Sequence, residues 1–353
     1  MITDSVVFDE HYIPRELAHR EEEVGTLVRA WNPLTVDDPV ADVLLAGPSG
    51  VGKTVLTTFA LRNLTRENHV PYAHVGAMGQ TTGDVLRDLL GQIGGHPLGD
   101  ETVTDLTWTV RNHLDDPGIC VLDEADDLPD SDTLDTLTSI DGLSLVVITH
   151  DRQRWLGRVD PDLQHRFSVD GHELSLDRYG VDELADVLEA RATAGLRSGV
   201  VRRDQLERIA DDVAGVARVG IQSLHAAAEL ATSRGHERIE PGDVDDSYDR
   251  ARHRIRQENL SSLTFHHQVL YELIRDADEL TGIDLHRRYD MISKQAYRGR
   301  RGTPISERAR RNKLSKLADH DLIEVIDGRA TRRYRVVDDR VESPRDVPLQ
   351  PDA

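Results

Sequence analysis

The chain has 353 residues, a formal charge of −21 at neutral pH and one cysteine, Cys120; its length allows two or three domains with cores of their own. A lone cysteine inside an apolar run excludes a disulfide framework and a cysteine metal site. No apolar run is long enough to cross a bilayer, and the first residues lack the regions of a signal peptide, so a soluble, reduced, cytoplasmic protein without a membrane role is expected.

In chain order, the stretch to Trp31 runs into an amphipathic helix with Val24, Leu27, Val28 and Trp31 on one face. A Pro- and Asp-containing loop over Asn32–Asp42 follows. Val43–Ala46 is predicted as a short buried strand, and it enters Gly47-Pro48-Ser49-Gly50-Val51-Gly52-Lys53-Thr54. That stretch fits G-x-x-x-x-G-K-[ST] at every fixed position, with a helix predicted from Val55 onward. Glycines let such a loop wrap a polyphosphate with its N–H groups inward, and the helix that follows presents its positive end. Gly50, Val51, Gly52, Lys53, Thr54 and Val55 are therefore the expected nucleotide contacts, for ATP with Mg2+. Lys53 would reach the β- and γ-phosphates, and the Thr54 hydroxyl would hold magnesium.

A second strand over Val70–Val75 and helices over Thr82–Ile93 and Val103–Leu114 come next. Ile119-Cys120-Val121-Leu122 then leads into Asp123-Glu124-Ala125-Asp126, a buried strand whose tip presents acids. Asp123 is expected to hold the magnesium and Glu124 to polarise an attacking water. Leu143–His150 is a further strand ending in polar residues, and either His150 or Thr149 suits a group that senses a γ-phosphate. Alternating strands and helices to this point make a three-layer α/β core with a parallel sheet.

From Asp177 the pattern is helical, with helices at Val181–Ala194, Arg202–Ala214, Val219–Ser233 and Pro241–His253. After Asn259, helices at Phe265–Ala277, Gly282–Ala296 and Pro304–Asp319 precede two strands around Asp327–Thr331, the order of a winged helix. Between His286 and Arg335 stand fifteen Arg and Lys against six Asp and Glu, so the rest of the chain carries about thirty net negative charges. Such polarity marks a nucleic-acid-binding module. Arg308, Arg310, Arg311, Lys313 and Lys316 would enter a major groove of double-stranded DNA, and Arg329, Arg332 and Arg333 would touch backbone or minor groove. Elsewhere lysine is nearly absent, only four in all, and this acidic, arginine-rich composition resembles proteins adapted to concentrated salt. The expected domains are 1–170 core, 171–254 helical lid, 255–338 winged helix and 339–353 a disordered tail.

These pieces together resemble the archaeal replication initiators related to the origin-recognition complex and the cell-division-control loaders, AAA+ ATPases with a C-terminal winged helix. The resemblance spans roughly residues 6 to 337. Tyr12-Ile13-Pro14 through His19-Arg20-Glu21-Glu22-Glu23 is similar to the family's N-terminal signature, which helps enclose adenine. Asp160–Phe167 resembles the arginine-finger segment, which implies that Arg166 reaches a neighbouring subunit's γ-phosphate. Tyr179 and Arg191 look like the lid pair that contacts nucleotide, and Gly215-Val216-Ala217-Arg218 resembles the second sensor, with Arg218 as its arginine. Val216 and His150 depart from the family's usual Asp and Asn, and Asp162 sits in a segment less basic than usual. The resemblance implies an origin-binding initiator with slow, switch-like ATP hydrolysis, self-association on DNA and a replicative helicase as partner. A regulatory paralogue, an ATP-switched winged-helix regulator and a mobile-element targeting ATPase remain open as alternatives.

Overall fold

The computed structural model describes residues 1–31, 41–67, 70–114, 117–128, 132–170, 172–300, 302–327 and 332–350. Two compact units divide the chain, Met1–Asp245 and Asp246–Ala353.

In the first unit, β1 (Val43–Ala46), β2 (Tyr72–Gly76), β3 (Gly118–Asp123), β4 (Leu143–Thr149) and β5 (His172–Ser175) form one sheet in the order β2-β3-β4-β1-β5. Every pairing in it is parallel. Side chains alternate across a strand, and here both faces are covered, so the central strands are apolar but for Ser144 and Thr149 of β4 and Asp123 at the tip of β3. Leu44, Cys120, Leu122, Leu145 and Val147 pack into the layer built with α3 (Thr82–Gln92), α4 (Val103–His113) and α5 (Asp132–Thr138). Their neighbours Val43, Leu45, Ile119, Val121, Val146 and Ile148 pack the opposite way, against α1 (Glu21–Ala30) and α2 (Lys53–Glu67). The three-layer α/β core is thus as expected from the alternation. Thr81 and Thr102 start α3 and α4 with capping boxes closed by Asp84 and Asp105.

The sheet continues past residue 170, where the core was expected to end. β5 pairs with β1, in the register Val43 to His172. As an edge strand with three of four residues exposed, it has no apolar run to announce it. Short helices α6 (Arg152–Leu156) and α7 (Pro161–His165) join β4 to β5.

α8 (Val181–Gly195), α9 (Arg203–Asp212), α10 (Ala217–Ser233) and α11 (Pro241–Asp245) complete this unit as a helical subdomain. The N-terminal segment, unremarkable as sequence, is fastened to it. Val7 and Phe8 are buried, and the Phe8 ring stacks on His225 at 4.8 Å. The Thr3 N–H donates to the Gly195 carbonyl at 2.9 Å, and the Gln222 amide donates to the Phe8 carbonyl at 2.9 Å.

The helix expected over Pro241–His253 is two helices, parted at Asp246, and the second of them, α12 (Ser247–Ser262), opens the second unit. Arg252 and Arg256 of α12 both bond the Asp321 carboxylate, at 2.6 and 2.7 Å, which ties the helix to the winged-helix side. There α13 (Phe265–Asp276), α14 (Gly282–Ala296) and α15 (Glu307–Asp319) carry a sheet in the order β6-β8-β7, from β6 (Glu279–Thr281), β7 (Ile323–Asp327) and β8 (Arg332–Val336). Both pairings are antiparallel. β6, three residues long, had no readable signal.

Residues 340–350, within the stretch expected as a tail, lie against this unit. Val341 is fully buried, the Tyr271 hydroxyl reaches the Asp338 and Val341 carbonyls at 3.1 and 3.2 Å, and the Ser343 N–H donates to Glu272 at 2.7 Å. One buried valine and a buried tyrosine outweigh the polar composition around them. No helix among the described residues is long and apolar enough to cross a membrane.

Candidate nucleotide site and nucleic-acid interface

The loop between β1 and α2 turns through three glycines of positive φ, Gly47 (153°), Gly50 (76°) and Gly52 (95°). Gly50 has a second reason to be glycine, since a Cβ there would stand 2.8 Å from Val216 Cγ1 and 3.2 Å from Arg218 Cβ. The Arg218 N–H donates to the Gly50 carbonyl at 3.0 Å, so the start of α10 sits directly on the loop. Val51 is fully buried in the α1–α2 layer and offers the site only its backbone, while Val55 is half-buried one turn into α2. Lys53 is buried, and its Nζ bonds the carbonyls of Gly47 and Pro48 at 2.7 and 2.8 Å.

Parallel pairing through β4 brings the β3 tip to this loop. The Thr54 hydroxyl, exposed at the start of α2, donates to Asp123 Oδ2 at 2.7 Å. His74 of β2 lies 3.0 Å from the same oxygen. Burial pushes the Asp123 carboxyl up, but the bonds from His74, Thr54 and the Glu124 N–H more than offset it and leave it below the usual carboxylate range. Two oxygen donors held this close, one of them ionised, suit a small hard cation such as Mg2+. Glu124 follows in the left-handed region, with φ 54°, a strained position of the kind found at functional sites.

The β4 tip adjoins both elements, and the Gly47 N–H donates to the Thr149 carbonyl at 3.3 Å. Thr149, fully buried, donates its hydroxyl to Asp126 Oδ1 at 2.6 Å. Asp126 Oδ2 accepts the His150 N–H at 2.7 Å and faces His150 Nδ1 at 3.1 Å. Of the two expected sensors, His150 is therefore the one with a partly exposed side chain. Asp126 had no assigned role in the sequence; its place three residues beyond Asp123 is the signal that was there to be read.

The lid residues are in place but engaged from within the chain. Tyr179 is buried, its hydroxyl accepting from Arg20 Nε at 3.1 Å with the Arg20 guanidinium 4.3 Å above its ring. Burial pushes that phenol up, with Arg20 opposing. Arg191 is buried too, bonding the Val7 carbonyl at 2.7 Å and lying 4.6 Å over the Tyr12 ring. Burial pulls its guanidinium down. Arg218 bonds Glu10 at 2.8 Å. The N-terminal segment thus supplies partners to two arginines expected to contact nucleotide, which no spacing in the sequence indicated.

Arg166, expected to reach a neighbouring subunit, bonds Asp42 and the Thr138 carbonyl of its own chain. Asp42 is buried, and its other oxygen accepts the Leu145 N–H at 2.6 Å. The turn that follows α7 holds the guanidinium at the start of β1, the opposite end of that strand from the phosphate loop.

In the second unit the cations sort by helix face. Arg308 and Arg311 are exposed and Lys313 is half-buried. Arg310 and Lys316 do not point outward as expected: both are buried, on the face that carries Leu314 and Leu317 inward. Arg310 bonds Asp290 at 2.8 Å and the His286 carbonyl at 3.2 Å, and lies 4.6 Å over the Tyr289 ring. Arg332 and Arg333 are exposed on β8 and paired, with Asp327 at 3.2 Å and Glu279 at 3.0 Å. Arg335, not anticipated, pairs with Glu324 at 2.7 Å. Exposed pairs of this kind are weak because water screens them, so a phosphate can take the arginine from its carboxylate. Arg329 lies outside the described residues.

Residues 16–148 match the AAA ATPase domain family and residues 185–249 the Cdc6 AAA+ ATPase-type lid domain. Among relatives, the chain is 30% identical to ORC1-type DNA replication protein 9 of Halobacterium salinarum, over 97% of this chain and 96% of that one. It is 32% identical to ORC1-type DNA replication protein 1 of the same organism, over 82% and 95%. In fold it is similar to the Aeropyrum pernix ORC1 protein solved in complex with DNA, with a TM-score of 0.74, 23% identity and coverage of 95% and 93%. Cdc6p from Pyrobaculum aerophilum is similar at a TM-score of 0.63, 21% identity and coverage of 98% and 95%. The sheet order, the loop seated under the lid and the match along nearly the whole of a curated relative agree, and the chain belongs to the family of ORC1-type DNA replication proteins, with an AAA+ ATPase core and a Cdc6-type lid.

Proposed function

We propose that the chain is an ATP-dependent initiator of DNA replication that binds origin DNA through its winged helix and its AAA+ core, with ATP acting as a switch. The observation that carries this reading is the meeting of three elements at one loop: Thr54 on Asp123 at 2.7 Å, and the Arg218 N–H on the Gly50 carbonyl at 3.0 Å.

In this reading the loop N–H groups of Gly50, Val51, Gly52, Lys53, Thr54 and Val55 cradle the phosphates, and Lys53 exchanges its bonds to Gly47 and Pro48 for the β- and γ-oxygens. Thr54 and Asp123 hold Mg2+, which neutralises phosphate charge. Glu124 orients the attacking water, and His150 and Arg218 read the terminal phosphate. Tyr179 and Arg191 line the base side of the site through the N-terminal segment they hold. Arg166 is committed to Asp42 within the chain, which supports slow turnover and a switch rather than a motor. Arg308, Arg311 and Lys313 meet the major groove, and Arg332, Arg333 and Arg329 meet the backbone beside it. Further copies on DNA and a replicative helicase complete the assembly, in the cytoplasm.

The test is DNA binding at fixed salt to the intergenic DNA flanking the gene, with ATP, with ADP and with Lys53→Ala, beside Arg332→Ala/Arg333→Ala. Sequence-selective binding that needs the wing and shifts with nucleotide is expected. Absence of selective binding anywhere on the replicon would leave an ATP-dependent protein-assembly module whose winged helix faces another protein.

A further inference from the structure

We infer that Glu10 is a specificity-determining residue of the nucleotide site, a carboxylate that competes with the terminal phosphate for Arg218 and so weakens the hold on ATP relative to ADP. This rests on the nucleotide-binding reading above and adds to it a residue of the N-terminal segment.

Glu10 is held in place from both sides. Before it, Phe8 is buried, with its ring stacked on His225 at 4.8 Å and its carbonyl accepting the Gln222 amide at 2.9 Å. After it, the Tyr12 ring lies 4.6 Å from the Arg191 guanidinium, which also donates to the Tyr12 carbonyl at 3.4 Å. Gln222 and His225 belong to α10 and Arg191 to α8, so the turn between these anchors lies along the lid. The turn is closed by the His11 N–H on the Asp9 carboxylate at 2.8 Å and the Tyr12 N–H on the Asp9 carbonyl at 3.2 Å. Glu10 is thereby carried to the first turn of α10, where its Oε2 meets Arg218 Nη2 at 2.8 Å. Its other oxygen lies 3.6 Å from the exposed His11 ring. Arg218 is itself seated on the phosphate loop through its N–H on the Gly50 carbonyl at 3.0 Å. The Glu10 and Arg218 side chains are 40% and 24% exposed, so a ligand on the loop can reach the pair.

The chemistry follows from what a guanidinium offers. Its donors are fixed in one plane, and they bind carboxylate and phosphate oxygens by the same charge-assisted bonds. A phosphate oxygen that arrives at Arg218 must displace the Glu10 carboxylate or stand beside it, and two anions at one cation repel each other. In both cases Glu10 opposes the contact. The opposition falls on the terminal phosphate, which ATP has and ADP lacks, because that is the group Arg218 reads. Glu10 therefore raises the ATP-to-ADP ratio at which the switch is thrown. It lies before Tyr12–Glu23, the stretch that carries the family resemblance, so the contact is not one that the resemblance implies. Glutamine at this position keeps the shape and an acceptor and removes the charge.

The experiment measures dissociation constants of a non-hydrolysable ATP analogue and of ADP, both with Mg2+, by calorimetry. Salt is fixed at a concentration where wild type is folded, because salt screens a part-exposed pair. The proteins are full-length wild type, Glu10→Gln, Arg218→Ala and the double variant. Glu10→Gln should bind the analogue about fivefold more tightly, the upper end for an exposed pair, and ADP as wild type does. Arg218→Ala should bind the analogue more weakly than wild type. Adding Glu10→Gln to it should change neither constant, because Glu10 acts through the arginine. A merely structural Glu10 would move both nucleotides alike and in either background. Four outcomes overturn this inference alone: unchanged or weaker analogue binding by Glu10→Gln, equal gains for analogue and ADP, the same gain with and without Arg218, or analogue bound by Arg218→Ala as tightly as by wild type. Failure of wild type to bind either nucleotide overturns the nucleotide reading and this inference with it.

Discussion

Gly50→Ala tests the contact between the phosphate loop and the lid. Two costs add at this position. Its φ of 76° lies in the region an L side chain resists, worth about 1–3 kcal/mol at a constrained site. The new Cβ would also stand 2.8 Å from Val216 Cγ1 and 3.2 Å from Arg218 Cβ, and forcing such a contact costs a further ~1–3 kcal/mol. Gly52 is the internal control, because its φ is 95° but a Cβ there meets nothing within 4 Å. Gly50→Ala should therefore destabilise the first unit by about 1–3 kcal/mol more than Gly52→Ala. Adding Val216→Ala should return most of that difference. The assay is denaturant-dependent hydrogen exchange on peptides covering residues 43–61 and 213–224, which reads this unit separately from the second. Equal costs at Gly50 and Gly52, or a coupling to Val216 below about 0.5 kcal/mol, would refute the reasoning that the lid closes on the loop through this contact.

The two arginine neighbours on α15 should behave oppositely. Arg311→Ala is expected to weaken DNA binding and lower its salt dependence by about one phosphate contact without changing stability, whereas Arg310→Ala should cost the second unit about 1–3 kcal/mol through its bonds to Asp290 and the His286 carbonyl; gel-shift titrations and thermal unfolding separate them. Arg166→Ala should destabilise the first unit by about 1–3 kcal/mol in the isolated subunit, since buried Asp42 loses its cation; unchanged unfolding combined with lost hydrolysis would instead mark an arginine acting on a neighbour. His267 is 1% exposed, and burial, with Lys313, His320 and Lys316 adding to it, depresses its imidazole to about 2. The unfolded chain then takes up a proton below about pH 6.5 that the folded unit refuses, so stability should decrease as pH is lowered below about 6.5, by up to about 1.4 kcal/mol per pH unit. His267→Asn should flatten that profile in denaturant titrations, and an unchanged slope would show that other groups set it.

The sequence alone determined what depends on local chemistry. The phosphate loop is legible because glycines at fixed spacing and a Lys-Thr pair opening a helix are needed together. The acidic strand is legible because four apolar residues end in carboxylates downstream of an intact phosphate loop. The long helices and the central strands followed from apolar periodicity, since burial on one stripe or on both faces leaves that imprint. Three kinds of fact needed the tertiary structure. Edge elements such as β5 and β6 bury little, so they carry no pattern. Long cations such as Arg310 and Lys316 can lay their stems in a core while reading as surface charge, so composition placed them on a DNA face from which folding removed them. Partners distant in sequence came together only through folding, as Arg166 with Asp42, Arg191 with Val7, and Asp126 with Thr149 and His150 show. A hydrogen bond depends on ångströms between atoms, and no periodicity along the chain records the separation of two residues that meet across a sheet.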